Sequence, residues 1–146
     1  MSEISLSQAQ DIITAALDKG RSENFLPLVV AVLDTGGHLK TYAREDAAGI
    51  LRYQIARGKA WGALGMGVGS RALGERAKKG GGDVAFIDAA TAASHGRLIP
   101  GPGGVLIRNA DGHIVGAVGI SGDTGDNDEV CAIAGIEAIG MRPDPG

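Results

Sequence analysis

The chain has 146 residues, of which 44% are hydrophobic, a length and composition typical of one domain with its own core. Its 14 basic and 17 acidic residues give a formal net charge of −3, which predicts no binding to nucleic acid or to an anionic membrane. No apolar run reaches the roughly 20 residues that span a bilayer. Met1-Ser2-Glu3 also lacks signal-peptide character, so we expect a cytoplasmic protein.

The cysteine, aromatic and glycine contents restrict how the core is built. The single cysteine, Cys131, cannot form an internal disulfide, and no Cys or His cluster has zinc-site spacing, so no metal site is predicted. Aromatic residues make up only 3% of the chain while glycine occurs 25 times, which favours an aliphatic core with close backbone approaches. Because such a small subunit is expected to share apolar surface with another copy, we predict a homo-oligomer.

Hydrophobic periodicity predicts five helices and two hairpins. The first helix has a capping-box pattern at Ser7 and Gln10. Asp34-Thr35-Gly36-Gly37 and Asp111-Gly112 mark the two hairpins, and the first connection is too short for anything but an antiparallel pair. In chain order, the predicted elements are a helix ending at Gly20, strands 28–33 and 39–43, helices 48–64, 70–78 and 84–93, strands 104–108 and 114–120, and a helix from 126–128 to 139.

Two boundaries depend on local signals. Asp46 is expected to cap the second helix, although it could instead pair with Arg44, and glycines between Gly62 and Gly69 are expected to interrupt that helix. Residues 141–146 are rich in proline and predict a frayed tail. The order of elements indicates an α+β fold, an antiparallel sheet flanked by helices, in a single domain over residues 1–146.

Several motifs follow one another along the chain. They are Val32–Leu39, Arg44 with Asp46 and Gly49, Ala56 with Lys59-Ala60, Gly103–Ile107, Val115–Asp123, and Asp126–Glu129 followed by Ala132, Ala134 and Gly135. In this order they resemble the GlcG/HbpS-like family, also called the haem-degrading domain family, over about residues 5 to 140. The resemblance implies a profilin-like fold and, for several members, haem binding or handling. Other members accompany glycolate and diol utilisation, which implies a different alternative: an isomerase, hydratase or lyase acting on a small carboxylated metabolite.

Three side chains are candidate catalytic groups: Lys59, His95 and Arg97. A lysine or a planar guanidinium can hold a carboxylate, and an imidazole can exchange a proton near neutral pH. The amides of Gly103 and Gly104 could stabilise developing negative charge. Each group also has a plainer interpretation, because Lys59 could be a surface lysine and His95 could simply end a helix. We expect these residues to meet the loop from Ser121 to Asp126 in one cleft.

For a haem cofactor, the candidate binding residues are His38, His95, Gly103, Gly104 and Ser121. Imidazole is the expected iron ligand, because Cys131 lies within the last helix and is expected to be buried as a small apolar residue. His38 and His113 both lie in hairpins, where histidine is often only a surface residue. The loop from Ser121 to Glu129 is rich in oxygen atoms, but helix capping explains its acidic residues without a cation.

Overall fold

The computed structural model describes residues 3–146, and its elements confirm the predicted α+β fold with an antiparallel sheet flanked by helices. No helix in this described range is long and apolar enough to cross a membrane. The elements are α1 (Leu6–Ser22), β1 (Val29–Leu33), β2 (Leu39–Arg44), α2 (Arg52–Met66), α3 (Ser70–Lys78), α4 (Gly81–Ala93), β3 (Gly104–Arg108), β4 (Ile114–Ser121), α5 (Gly125–Ala138) and β5 (Arg142–Asp144).

The five strands form one antiparallel sheet in the order β2-β1-β4-β3-β5. All five residues of β1 are buried, because helices cover the sheet on both faces. Val30 and Val32 pack into the main core with α1 and α5, while Val29 and Ala31 contact α2 on the other face. A smaller apolar cluster joins α3 and α4 beside α2.

Two glycines that are paired on neighbouring strands allow α2 to lie directly on the sheet. Gly104 of β3 pairs with Gly119 of β4. A Cβ atom on either glycine would overlap α2 backbone atoms, at Lys59 for Gly104 and at Ala56 for Gly119. This close approach fixes the rotation of α2 and turns Lys59 toward the sheet.

Helix α1 starts two residues earlier than the capping pattern at Ser7 and Gln10 predicted. Ser5 is the N-cap, and its hydroxyl accepts from the amide of Gln8 while the Gln8 side chain accepts from the amide of Ser5. The helix also continues past Gly20, which is buried against Leu28. A glycine at such a contact serves packing rather than helix termination.

The predicted start of α2 was wrong, whereas its predicted end agrees within two residues. The helix begins at Arg52 with no side-chain cap, so Asp46 neither caps it nor pairs with Arg44 among the described residues. The helix continues through Gly62, which provides the space against which Leu98 packs, and ends at Met66, where Gly67 adopts a left-handed conformation with a φ of 69°. By contrast, α3 and β3 coincide with their predicted ranges.

The expected frayed tail is instead the edge strand β5. Arg142, Pro143 and Asp144 pair with β3, and Asp144 accepts from Arg108 Nε at 2.8 Å. Proline is tolerated here because an edge strand can leave one side of its backbone without sheet hydrogen bonds. The tail therefore adds an ordered fifth strand to the sheet.

Candidate functional site

A groove of about 310 Å³ lies between α2 and the turn that follows α4. Tyr53, Arg57 and Trp61 are spaced four residues apart on α2, so they share the helix face that forms one wall. The other wall is the segment from His95 to Arg97. Together with Gln54 and Gly58, these residues define what we call the arginine groove.

The turn carrying His95 has an unusual backbone. His95 and Gly96 have φ angles of 56° and 79°, so both lie in the left-handed region that usually terminates a helix through glycine. The amide of Gly96 donates to Thr91 O at 2.8 Å, and Ser94 Oγ accepts from the amide of Leu98 at 3.1 Å. These bonds hold the turn while leaving the His95 side chain exposed.

The groove is lined by two guanidinium groups and an imidazole, and by no carboxylate. Arg97 places its guanidinium 4.6 Å from the centre of the Trp61 ring, a cation–π arrangement, and its Nε donates to Ser94 O at 2.8 Å. Arg57 Nε is buried without a hydrogen-bond partner, the one such side-chain atom among residues 3–146. The arrangement favours an anionic ligand with a flat apolar part.

Lys59, also on α2, is buried in a separate polar cluster. Only 6% of the residue is exposed, and its Nζ donates to Ile120 O at 2.9 Å and to Asp128 Oδ2 at 3.1 Å. The other oxygen of Asp128 accepts from the amide of Asp123 at 3.0 Å. This buried ion pair ties α2 to the start of α5.

Burial acts against the charged forms of both partners. It lowers the pKa of Lys59 and raises the pKa of Asp128 from their ordinary values. The attraction between the two charges and their hydrogen bond oppose these shifts, while Arg52 adds to the lowering for Lys59. Each partner therefore depends on the other to remain charged in the interior.

The structure divides the predicted site residues between two places. His95 and Arg97 line the arginine groove, whereas Lys59 lies close to Gly103, where an added Cβ atom would stand 2.8 Å from Lys59 Nζ. The Gly104 amide donates to Ser70 Oγ at 2.7 Å, so that donor is already engaged. The sequence predicted one cleft for all of these residues. In the structure, Lys59 and the α2 residues of the groove lie on different faces of the helix.

Two further candidates lie outside the groove. Ser121 is fully buried and its hydroxyl accepts from Arg52 Nη1 at 3.1 Å. The His38 side chain is 81% exposed on the β1–β2 hairpin, where its Nδ1 lies 3.3 Å from Asp34. Cys131 is completely buried in α5, as predicted, and burial raises the pKa of its thiol to about 11.

In the oxygen-rich segment from Ser121 to Glu129, carboxylates accept hydrogen bonds from other groups of the protein. Asp123 accepts hydrogen bonds from the amides of Leu26 and Thr124, and these bonds lower its pKa. Arg71 contacts both Asp126 and Glu129, and these contacts raise the pKa of its guanidinium. Asp123 in the loop, and Asp126 and Glu129 in α5 itself, therefore connect this end of α5 to neighbouring segments.

Sequence reasoning missed Tyr53, Arg57 and Trp61 as members of one surface. Tyr53 has helical spacing to the small residues Ala56 and Ala60, which contact the sheet, and that spacing predicts a core position for all three. The four-residue spacing from Tyr53 through Arg57 to Trp61 was the available signal. The single tryptophan of the chain, one helical turn after an arginine, is a second signal that marks that face.

Comparison with known proteins places the chain among related structures. A search of curated proteins finds no match. The fold resembles that of PduOC in a haem complex, with a TM-score of 0.84 at 24% identity over 95% of this chain and 96% of that one. It also resembles Klebsiella pneumoniae ORFY, with a TM-score of 0.84 at 25% identity over 96% and 92% of the two chains.

A third relative and a family model agree with these two. A double mutant of Streptomyces reticuli HbpS aligns with a TM-score of 0.78 at 26% identity, covering 95% of this chain and 88% of that one. The family model described as haem degrading protein HbpS-like matches residues 4–137. Because that match covers nearly the whole chain, the protein belongs to the HbpS-like family.

Proposed function

We propose that this protein binds haem or a related tetrapyrrole in the arginine groove. The observation that carries the proposal is the convergence of Trp61, Tyr53, His95 and two arginines around one groove with no acidic lining. Support also comes from membership of the HbpS-like family and from the similar fold of PduOC, whose structure is a haem complex.

The groove residues fit the parts of haem. Aromatic rings suit the faces of the macrocycle, guanidinium groups suit the propionates, and an imidazole suits the iron. When bound, haem would supply an iron centre, and the exposed imidazole of His95 in the groove would be its protein ligand. A volume of about 310 Å³ is at the lower end for small-ligand sites, so an edge of the ring would remain in solvent.

Titration with haemin tests this proposal directly. We expect a Soret band to shift and sharpen with saturation at one equivalent, and the His95→Asn variant to lose that sharp band. Asparagine is the suitable replacement because it tolerates the left-handed backbone of position 95 better than alanine does. The readout is the visible absorption spectrum of each variant at equal haemin.

The matched control is His38→Asn, which removes an exposed imidazole outside the groove. We expect its haemin spectrum to equal that of the unmodified protein. A sharp band that persists unchanged in His95→Asn, or that disappears in His38→Asn instead, would contradict His95 ligation. A band that survives in the double variant would exclude both histidines.

The alternative of an enzyme acting on a small carboxylated metabolite gains no specific support. Lys59 was expected to hold the carboxylate of the substrate, but its ammonium is buried and already bound to Asp128 and Ile120. His95 and Arg97 remain available to a carboxylated ligand, and they are the same residues that the haem proposal uses.

Self-association remains a second proposal, supported by large apolar side chains that are exposed to solvent. Ile50 and Leu51, just before α2, are 91% and 62% exposed, and Phe86 on α4 is 40% exposed. Exposed apolar patches commonly mark contacts between subunits. We expect light scattering at micromolar concentration to give a multiple of the 14.7 kDa chain mass, and a monomer would contradict the proposal.

A further inference from the structure

We infer that Arg57 is a carboxylate receptor, and that the arginine groove selects flat conjugated ligands by their carboxylate whether or not they carry iron. The inference rests on the proposed function for the position of the ligand. It goes beyond that function by naming the ligand group that determines affinity and the residue that binds it.

The unpartnered atom of Arg57 is the first reason. Its Nε is buried, yet it donates to no oxygen among residues 3–146. A buried donor without an acceptor costs about 1–3 kcal/mol, and more when the group is charged. A ligand carboxylate that reached Nε through a small rotation of the Arg57 side chain would remove this cost, so the site favours a ligand that brings an acceptor.

The absence of a carboxylate partner for both groove arginines is the second reason. Four of the other seven arginines form an ion pair with a carboxylate, and they are Arg21, Arg71, Arg76 and Arg108. Within residues 3–146, Arg57 and Arg97 have no such partner, and they share one groove whose lining holds no carboxylate. Two positive charges are thus left for a ligand in the groove.

The surroundings of Arg57 define the rest of the ligand. Tyr53 and Trp61 lie one helical turn before and after it, and the Trp61 ring already stacks with the Arg97 guanidinium. A flat ring can therefore contact aromatic side chains while its carboxylate reaches the guanidinium fork of Arg57. A ligand that supplies both the acceptor and the flat ring is a conjugated carboxylate, not a simple inorganic anion.

The test compares iron-free protoporphyrin IX with its dimethyl ester, which has the same ring and no carboxylate. Binding is followed by calorimetry and by quenching of Trp61, the only tryptophan of the chain and a wall of the groove. We expect the free acid to bind at least about tenfold more tightly than the ester, since hydrogen bonds to charged groups are worth that much. Equal affinities would overturn the inference, as would failure of both porphyrins to bind.

Variants assign the effect to Arg57. Arg57→Met should reduce the affinity for the acid to that for the ester, while leaving the affinity for the ester unchanged. Arg57→Lys should recover only part of the loss, because an ammonium lacks the two-pronged geometry of guanidinium. Arg142→Met, which removes an exposed arginine on the edge strand β5 outside the groove, should have no effect on either ligand. If Arg57→Met weakened both ligands equally, Arg57 would serve only the shape of the groove.

Haemin and its dimethyl ester separate this inference from the proposed function. If haemin failed to bind while the iron-free acid bound through Arg57, haem as the ligand and His95 as its iron ligand would be ruled out, and the inference would stand. If haemin and its ester bound equally well through His95, the haem proposal would stand and the inference would fail.

Discussion

Replacing Lys59 with methionine is expected to lower the free energy of unfolding by about 3–5 kcal/mol at pH 7. The substitution keeps the length of the side chain but leaves Asp128, which is 1% exposed, without its charged partner. Lys40→Met is the matched control, because Lys40 is exposed on β2, and it should change stability by less than about 0.5 kcal/mol. Urea unfolding measures both.

The pH dependence should distinguish loss of the ion pair from a simple packing defect. Without Lys59, the attraction and hydrogen bond that lower the Asp128 pKa are gone, so its folded value rises further above the unfolded value of about 3.9. The folded state then binds more protons than the unfolded state, and the stability of Lys59→Met should fall as pH rises above about 4. The slope can reach about 1.4 kcal/mol per pH unit.

The reciprocal variant should show the opposite slope. In Asp128→Asn, Lys59 loses the interactions that raise its pKa, so its folded value falls further below the unfolded value of about 10.4. The unfolded state then binds more protons, and stability should rise with pH toward about 10. Flat or parallel pH profiles for the two variants would contradict the coupling of the pair.

Removing both charges should be much less harmful than removing one. In Lys59→Met with Asp128→Leu, no buried charge remains, and replacing a buried ion pair with apolar residues is often neutral or stabilising. The double variant should therefore recover most of the stability lost in Lys59→Met. Its haemin titration would also show whether the pair matters to the groove beyond holding α2 in place.

The sequence could predict the elements because apolar periodicity is a local property. The strands β1, β3 and β4 and the helix α3 agree with their predicted ranges within one or two residues. The cap of α1 was ambiguous because both Ser5 and Ser7 have glutamine three residues later. Ile4 resolves the choice, since it is 1% exposed and occupies the apolar position just before a cap at Ser5.

Non-local contacts explain what the sequence could not predict. Glycines inside α2 weaken its helix propensity, but Gly58 and Gly62 make room for Ile99 and Leu98, so packing overrides propensity. These two contacts of α2 with Ile99 and Leu98 also bring His95 and Arg97 beside Arg57. Which face of α2 carries the site depends on the pairing of Gly104 with Gly119, a sheet register that no local pattern reveals.

Substituting Gly119 with alanine tests this last dependence, and it should cost more than about 3 kcal/mol or prevent folding. The new Cβ would overlap the carbonyl oxygen of Ala56, a backbone atom of α2 that cannot rotate away. Either α2 lifts from the sheet or β4 shifts, and both disturb the core. Because α2 carries Tyr53, Arg57 and Trp61, any folded fraction should also show weakened ligand binding in the groove.

Gly82→Ala is the matched control for this substitution. Gly82 lies in the exposed first turn of α4, where no atom lies within 4 Å of an added Cβ. Alanine is the better helix former, so stability should be unchanged or rise by up to about 1 kcal/mol. Thermal and urea unfolding of the two variants measure the difference. Near-normal stability of Gly119→Ala would mean that α2 can slide on the sheet, and that the close approach at Gly119 does not fix the position of the groove.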